Sequence, residues 1–121
     1  MVEIRALPGR ERLAMVFKGQ VLEEELERAE QELREALPQM APAFDMISDV
    51  SAAEVLSPVA VERITRLGRL IVEAGLRTHI RVVGRSGQAA LQFQRISRRV
   101  GYDSRLAYSL AEAQALLDGP P

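Results

Sequence analysis

A change of hydrophobic period, repeated four times along the chain, most restricts what this sequence can fold into. Val2, Ile4 and Ala6 alternate with Glu3 and Arg5, and Leu13, Met15 and Phe17 alternate with Arg12, Ala14 and Val16. Pro8-Gly9-Arg10-Glu11 stands between these runs. Two period-2 runs across a Pro-Gly turn predict an antiparallel hairpin, with Gly19 closing its second strand. The period then lengthens. Leu22, Leu26, Ala29, Leu33, Ala36 and Met40 mark one face of a helix, and Glu23, Glu24, Glu25, Glu27, Glu30, Glu32 and Glu35 cover the others. Glutamates near its start suit the positive end of the helix dipole. Glu24 with Arg28 and Glu30 with Arg34 have the spacing for pairing along one face. Pro38 and Pro42 end the helix, because proline lacks the amide hydrogen that a helix interior needs.

The same alternation recurs three more times. Ala43-Phe44-Asp45-Met46-Ile47-Ser48 predicts a buried parallel strand, followed by a loop of small residues from Asp49 to Leu56. Ser57 as N-cap and Pro58 at the first helical position start a second helix, with Ala60, Ile64, Leu67 and Ile71 on its core face and Gly75 at its end. Thr78 to Val83 is β-branched and predicts a strand. Ser86 or Gly87 then begins a third helix, with Ala89, Phe93, Ile96 and Val100 facing inward and Gly101 closing it. Arg105-Leu106-Ala107-Tyr108 predicts a last strand. Ser109 and Glu112 form a capping box for a final helix ending near Leu117. The order β-β-α-β-α-β-α-β-α predicts an α/β fold: a mixed sheet with an N-terminal antiparallel hairpin, three further, mainly parallel strands and about four helices. A single domain over residues 1–117 with a short tail at 118–121 is expected from 121 residues.

Composition removes several kinds of function. There is no cysteine, which excludes disulfides, thiolate catalysis and cysteine-based metal sites, and the single histidine, His79, allows no histidine pair. No cofactor or metal is expected. No apolar run approaches the ~18 residues of a membrane span, and no secretory leader is evident, so a cytoplasmic location is expected. Charge is uneven: residues 1–60 hold 6 basic and 12 acidic side chains, residues 61–121 hold 10 and 5, and those ten are all arginine. An acidic helix lying beside a basic one accounts for this within one fold. Nucleic acid is not an expected partner, because aromatic residues make up only 4% of the chain and no binding motif accompanies the arginines.

With this element order the chain resembles a STAS domain, the module of bacterial anti-sigma factor antagonists and of sulphate transporter tails. The resemblance covers nearly the whole chain. It rests on the strand-Gly-apolar lead-in to the first helix at Phe17-Lys18-Gly19-Gln20-Val21, on Asp49 after the central strand, and on Ser109-Leu110-Ala111-Glu112-Ala113 near the end. It implies a non-enzymatic regulatory or scaffolding module that docks a protein partner, a kinase-like or other regulatory protein. In that family an Asp-Ser-Ser-Gly motif at the start of the second helix carries a serine that the kinase phosphorylates. Here the aligned stretch reads Ser57-Pro58-Val59-Ala60, without a hydroxyl at the expected place. Ser57 and, in another register, Ser51 of Asp49-Val50-Ser51-Ala52 are the remaining candidates for modification.

The residues suggest two classes of site. Leu91 lies opposite the inner stripe of the third helix, flanked by Arg95 and Arg98, with Gln88 and Gln94 beside them. A large apolar residue within a polar rim suits a protein interface. Together with Ser57 and the 50–58 loop it forms the candidate partner-binding surface. Homo-oligomers through the same faces, or through the hairpin's edge, are a further expectation. The alternative is a small-ligand or anion-binding protein that uses the glycine-rich turn Gly84-Arg85-Ser86-Gly87 and the Asp49 loop, since amides at a helix start can hold an anion. Asp45 and Asp49, four apart, are a weak candidate pair for acid–base or metal chemistry, and His79 has no partner suggested by spacing. No set of nucleophile, base and orienting group emerges, so an enzyme is not expected.

Overall fold

The computed structural model describes residues 1–7, 9, 11–84 and 87–119. Pro8 and Arg10 of the expected hairpin turn, and Arg85 and Ser86 of the glycine-rich turn, lie outside the described residues. Strands β1 (Val2–Ala6), β2 (Arg12–Gly19), β3 (Asp45–Ala53), β4 (Thr78–Val82) and β5 (Arg105–Ala107) form one mixed sheet in the order β1-β2-β3-β4-β5. Only β1 and β2 run antiparallel, in register from Val2 opposite Phe17 to Ala6 opposite Leu13; the other three pairings are parallel. The α-helices are α1 (Glu23–Ala36), α2 (Pro58–Glu73), α3 (Gly87–Val100) and α4 (Leu110–Asp118).

The helices divide between the two faces of the sheet. Leu26, Ala29 and Leu33 of α1, Ile64, Leu67 and Ile71 of α2, and Phe93 and Ile96 of α3 meet Leu13, Met15, Phe17, Met46 and Val50 in the main core. Phe17 and Phe93 stand 4.9 Å apart between ring centroids, linking β2 to α3. On the opposite face, Ala113 of α4 packs on Ile47, Ile80, Val82 and Ala107, with Leu116 and Leu117 against them. Alternation along β4 follows: Ile80 and Val82 turn to α4, while His79 and Arg81 turn to the three-helix layer.

Several expected boundaries change for physical reasons. The strand expected at 43–48 starts at Asp45 and continues to Ala53, so most of the expected 49–56 loop is strand. Small residues there had no periodic signal of their own. They pair because β2 reaches as far as Gly19 and offers partners to Ala52 and Ala53, past an irregularity between Val16 and Lys18. The first helix ends at Ala36, and a 3-10 turn at Leu37–Gln39 follows where Pro38 withholds its amide. Arg28 does not pair with Glu24. It reaches Glu32 at 3.5 Å and the Val2 carbonyl at 2.9 Å. At Ser109 the hydroxyl accepts from the Glu112 amide as expected, but the Glu112 carboxylate accepts from Tyr108, one residue earlier than a capping box would place it. Gly75 and Gly101 do follow their helices with positive φ, +113° and +101°, which glycine adopts without strain.

Three contacts hold the layers in position. Arg63 of α2 donates to Glu23 (2.9 Å) and Glu27 (3.1 Å) of α1, and Arg66 donates to Glu30 (3.3 Å), so much of the charge asymmetry between the two halves is neutralised between adjacent helices. At the amino ends of the strands, Arg77 grips the buried Asp45 carboxylate through two hydrogen bonds of 3.1 and 2.9 Å. The β1 edge is partly sealed, since Arg28 takes the Val2 carbonyl. A strand edge left open is a template for pairing with other chains. The Glu25 carboxyl nearby is held below the usual carboxylate range, chiefly by the Leu22 amide and also by the N-terminal ammonium, against the raising effect of burial.

Gly84 lies against the end of β3, where a Cβ would meet the Ser51 carbonyl oxygen at 2.5 Å. The three nearest atoms all belong to the Ser51 backbone, which cannot yield as a flexible side chain would. Gly84→Ala is expected to destabilise the fold by about 1–3 kcal/mol, the usual range for overpacking, read as a lower urea midpoint with unchanged slope.

Candidate functional site

The site is assembled around α3. Its inner stripe, Ala89, Phe93 and Ile96, is buried as the spacing requires, which fixes the outward direction of Leu91, 52% exposed, and of Arg95 and Arg98, both exposed. Among the described residues, Arg95, Arg98 and Arg99 form no ion pair, unlike the arginines of α2 that face α1. Arg95 and Arg99 line a small cleft of about 150 Å³ between α2 and α3, together with Val61, Gln92 and Ile96.

Gln92, which no spacing or motif singles out, joins this helix to the segment before α2. Its side-chain oxygen accepts from the Leu56 amide at 2.7 Å and its nitrogen donates to the Leu56 carbonyl at 3.0 Å. Both backbone groups of Leu56 are thereby satisfied by one amide side chain, and Leu56 itself is buried. Ser57 follows at once as the N-cap of α2, its hydroxyl accepting from the Ala60 amide at 3.1 Å. On either side of Ser57, Val55 and Val59 are 57% and 48% exposed. Gln92 thus ties α3 to the segment that leads into α2, at the carboxyl ends of the parallel strands. Tyr108, 73% exposed, and Leu110 stand at the same end of the sheet beyond β5. Only the spacing of surface valines around a helix cap could have hinted at this in the sequence.

The other candidates fall elsewhere. Ser51 is exposed, with its hydroxyl and amide both donating to Asp49 Oδ1 at 2.6 and 3.0 Å. Asp49 thus lies within β3, not at the start of the expected loop, and its carboxylate is occupied by Ser51 two residues on. Asp45, the other half of that carboxylate pair, is neutralised by Arg77 at the opposite end of the strand. The Gly84 turn and the β3 end do come together, but through close backbone packing at Ser51. Among the described residues, no group of three or more His, Asp or Glu side chains could hold a metal ion.

His79 and Arg81 make a buried polar stripe that sequence spacing did not reveal. His79 Nε2 is hydrogen-bonded to Ser48 Oγ, and Nδ1 to Ser104 Oγ at 2.6 Å, while Tyr102 meets the ring edge-on at 5.3 Å. A serine beside an imidazole has the form of a nucleophile and base. Here Ser48 and His79 are both buried, and the second ring nitrogen meets a hydroxyl where a triad would place a carboxylate. Arg81, 2% exposed, donates to the Phe93 carbonyl at 3.2 Å and to Ser97 Oγ, and its Nε has no partner among the described residues. Burial lowers its pKa, partly opposed by Tyr102. Burial, and then the neighbouring Arg81 charge, push the His79 pKa down to about 3.

No family model matches this sequence, and no curated protein matches it. Solved structures do. The chain is similar to an uncharacterized protein with a SpoIIAA-like fold from Shewanella loihica, at 16% identity and a TM-score of 0.70, over 94% of this chain and 90% of that one. The fold is STAS-like. It is similar too to the anti-sigma factor antagonist SpoIIAA in its unphosphorylated form, at 15% identity and a TM-score of 0.68, over 99% of this chain and all of the other. A third similar structure is an anti-sigma factor antagonist from Mycobacterium paratuberculosis, at 12% identity and a TM-score of 0.61, over 98% of this chain and 94% of that one. At these identities the likeness concerns the STAS-like fold, and it agrees with the mixed sheet and four helices described above.

Two outcomes follow from the site's geometry. Replacing Gln92 with leucine leaves the Leu56 amide and carbonyl without their partner, a loss of about 1–3 kcal/mol; hydrogen exchange is expected to accelerate at Leu56 and to change little in β3. His79 stays neutral in the folded chain until pH approaches about 3, whereas an unfolded histidine binds its proton near 6.5. Between those values the unfolded state holds more protons, so stability is full above pH 6.5 and declines as pH falls toward 3. Thermal melts over that interval should fall more steeply for the wild type than for His79→Gln, by about 1.4 kcal/mol per pH unit.

Proposed function

We propose that this protein is a non-enzymatic regulatory or scaffolding module that docks a protein partner through the outer face of α3 and the segment leading into α2. Leu91, Arg95, Arg98 and Ser57 are its contact residues, with Val55 and Val59 extending the apolar part. The observation that carries the reading is the clamp of Gln92 on Leu56, which makes two separate segments one surface. That surface has exposed apolar side chains and arginines that form no ion pair among the described residues, the composition of an interface with a polar rim. The STAS-like fold supports the same reading, since two of the similar structures are described as anti-sigma factor antagonists. The absence of a membrane-spanning helix among the described residues is compatible with a partner met in the cytoplasm.

Ser57 is the better placed of the two candidates for modification. A phosphoryl group there would stand on the amino end of α2, where orphan amides and the helix dipole favour an anion. At Ser51 it would meet the Asp49 carboxylate, already 2.6 Å from the hydroxyl.

The test is partner capture. Wild-type chain and Leu91→Asp are immobilised and exposed to a native extract of the source organism, and the retained proteins are identified by mass spectrometry. The reading expects a defined protein on the wild type that the variant loses by tenfold or more, with both chains showing the same circular dichroism and melting temperature. A partner retained equally by both chains, or no specific protein at all, would remove the α3 face from consideration.

A further inference from the structure

We infer that the occupant of the α3 face is the α1 helix of a second copy of this chain, joined head to tail. The inference rests on the docking reading above and names its partner. Within α1 there are seven glutamates and two arginines; within α3 there are three arginines and no acid. These helices lie at opposite flanks of the three-helix layer, with α2 packed between them. One flank is thus acidic and the other basic.

The molecule already shows how the two would fit. Arg63 and Arg66, three residues apart on α2, reach glutamates of α1 at 2.9 to 3.3 Å. On α3 the same spacing recurs at Arg95 and Arg98, but no carboxylate among the described residues receives them. On α1, Glu24 and Glu35 are exposed on the side away from the core and likewise form no ion pair among the described residues. Glu24 and Glu35 stand about 16 Å apart along α1 and Arg95 and Arg98 about 4.5 Å apart along α3, so the arginine pair of a second copy meets one of these glutamates in each contact. Because the joined patches differ, each added copy leaves one acidic and one basic flank free, and growth ends only if the rotation closes a ring. Exposed ion pairs are individually weak and are screened by salt, so assembly depends on concentration and on ionic strength.

Sedimentation velocity at low and high ionic strength tests this with two charge-reversed chains, Arg95→Glu/Arg98→Glu and Glu24→Arg/Glu35→Arg. The wild type is expected to form a concentration-dependent series of species at low salt that collapses to monomer at high salt. Each variant alone is expected to lose the series, because one of its two flanks is disabled. An equimolar mixture of the variants is expected to recover the series with the two chains alternating, because the native pair of flanks and the doubly reversed pair are both complementary in charge. That recovery also shows that both variants are folded. A wild type that remains monomeric at low salt, or a mixture that never pairs, overturns self-docking. Capture of a different protein by the wild type that Leu91→Asp loses would, in that event, leave the docking reading standing with another partner; if that capture fails too, both fall together.

Discussion

The interior position of β4, covered by the three-helix layer on one face and by α4 on the other, governs the rest of the architecture. It forces His79 and Arg81 out of water. A buried arginine is tolerated only where its donors find acceptors, and Arg81 finds them on α3, at the Phe93 carbonyl and Ser97. The sheet therefore holds α3 through a polar contact as well as through Phe93 and Ile96. Alternate placement of α3 would leave that cation without its acceptors, and breaking such a buried interaction is far more harmful than never having built it. Positional definition of α3 follows from this, more than any gain in net stability.

From α3 the dependence continues outward. Gln92, one residue before Phe93, takes both backbone groups of Leu56, and Leu56 places Ser57 to cap α2. Each step satisfies a polar group that would otherwise be buried without a partner. The result is a surface whose apolar residues are exposed because their neighbours are fully employed elsewhere. Leu91 has no inward alternative, since Ala89, Phe93 and Ile96 already fill that side of the helix. α1 and α2 adhere through arginine–glutamate pairs, whereas Arg95, Arg98 and Arg99 of α3 form no ion pair among the described residues.

Much of this was legible in the sequence. Period-2 and period-3.6 runs gave the element order, and Ser57-Pro58, Ser109, Gly75 and Gly101 marked helix ends correctly because caps are local chemistry, decided by a few neighbouring residues. Leu91 could be placed opposite Phe93 from spacing alone. The extension of β3 to Ala53 was not legible, because those small residues become strand only when β2 runs alongside. The roles of Gln92 and Gly84 were equally hidden, since each is defined by a partner more than thirty residues away, Leu56 and Ser51 respectively.

By itself, then, the sequence determined the α/β order, the faces of the helices and the absence of cysteine chemistry, all of which follow from local periodicity and composition. Only the tertiary structure decided which polar residues are buried and which separate segments share a surface. His79 and Arg81 read as ordinary strand residues until two layers close over β4. The segment before α2 is tied to α3 only because Gln92 takes both backbone groups of Leu56. Burial and long-range hydrogen bonding depend on the whole chain at once, and no window of neighbouring residues contains that information.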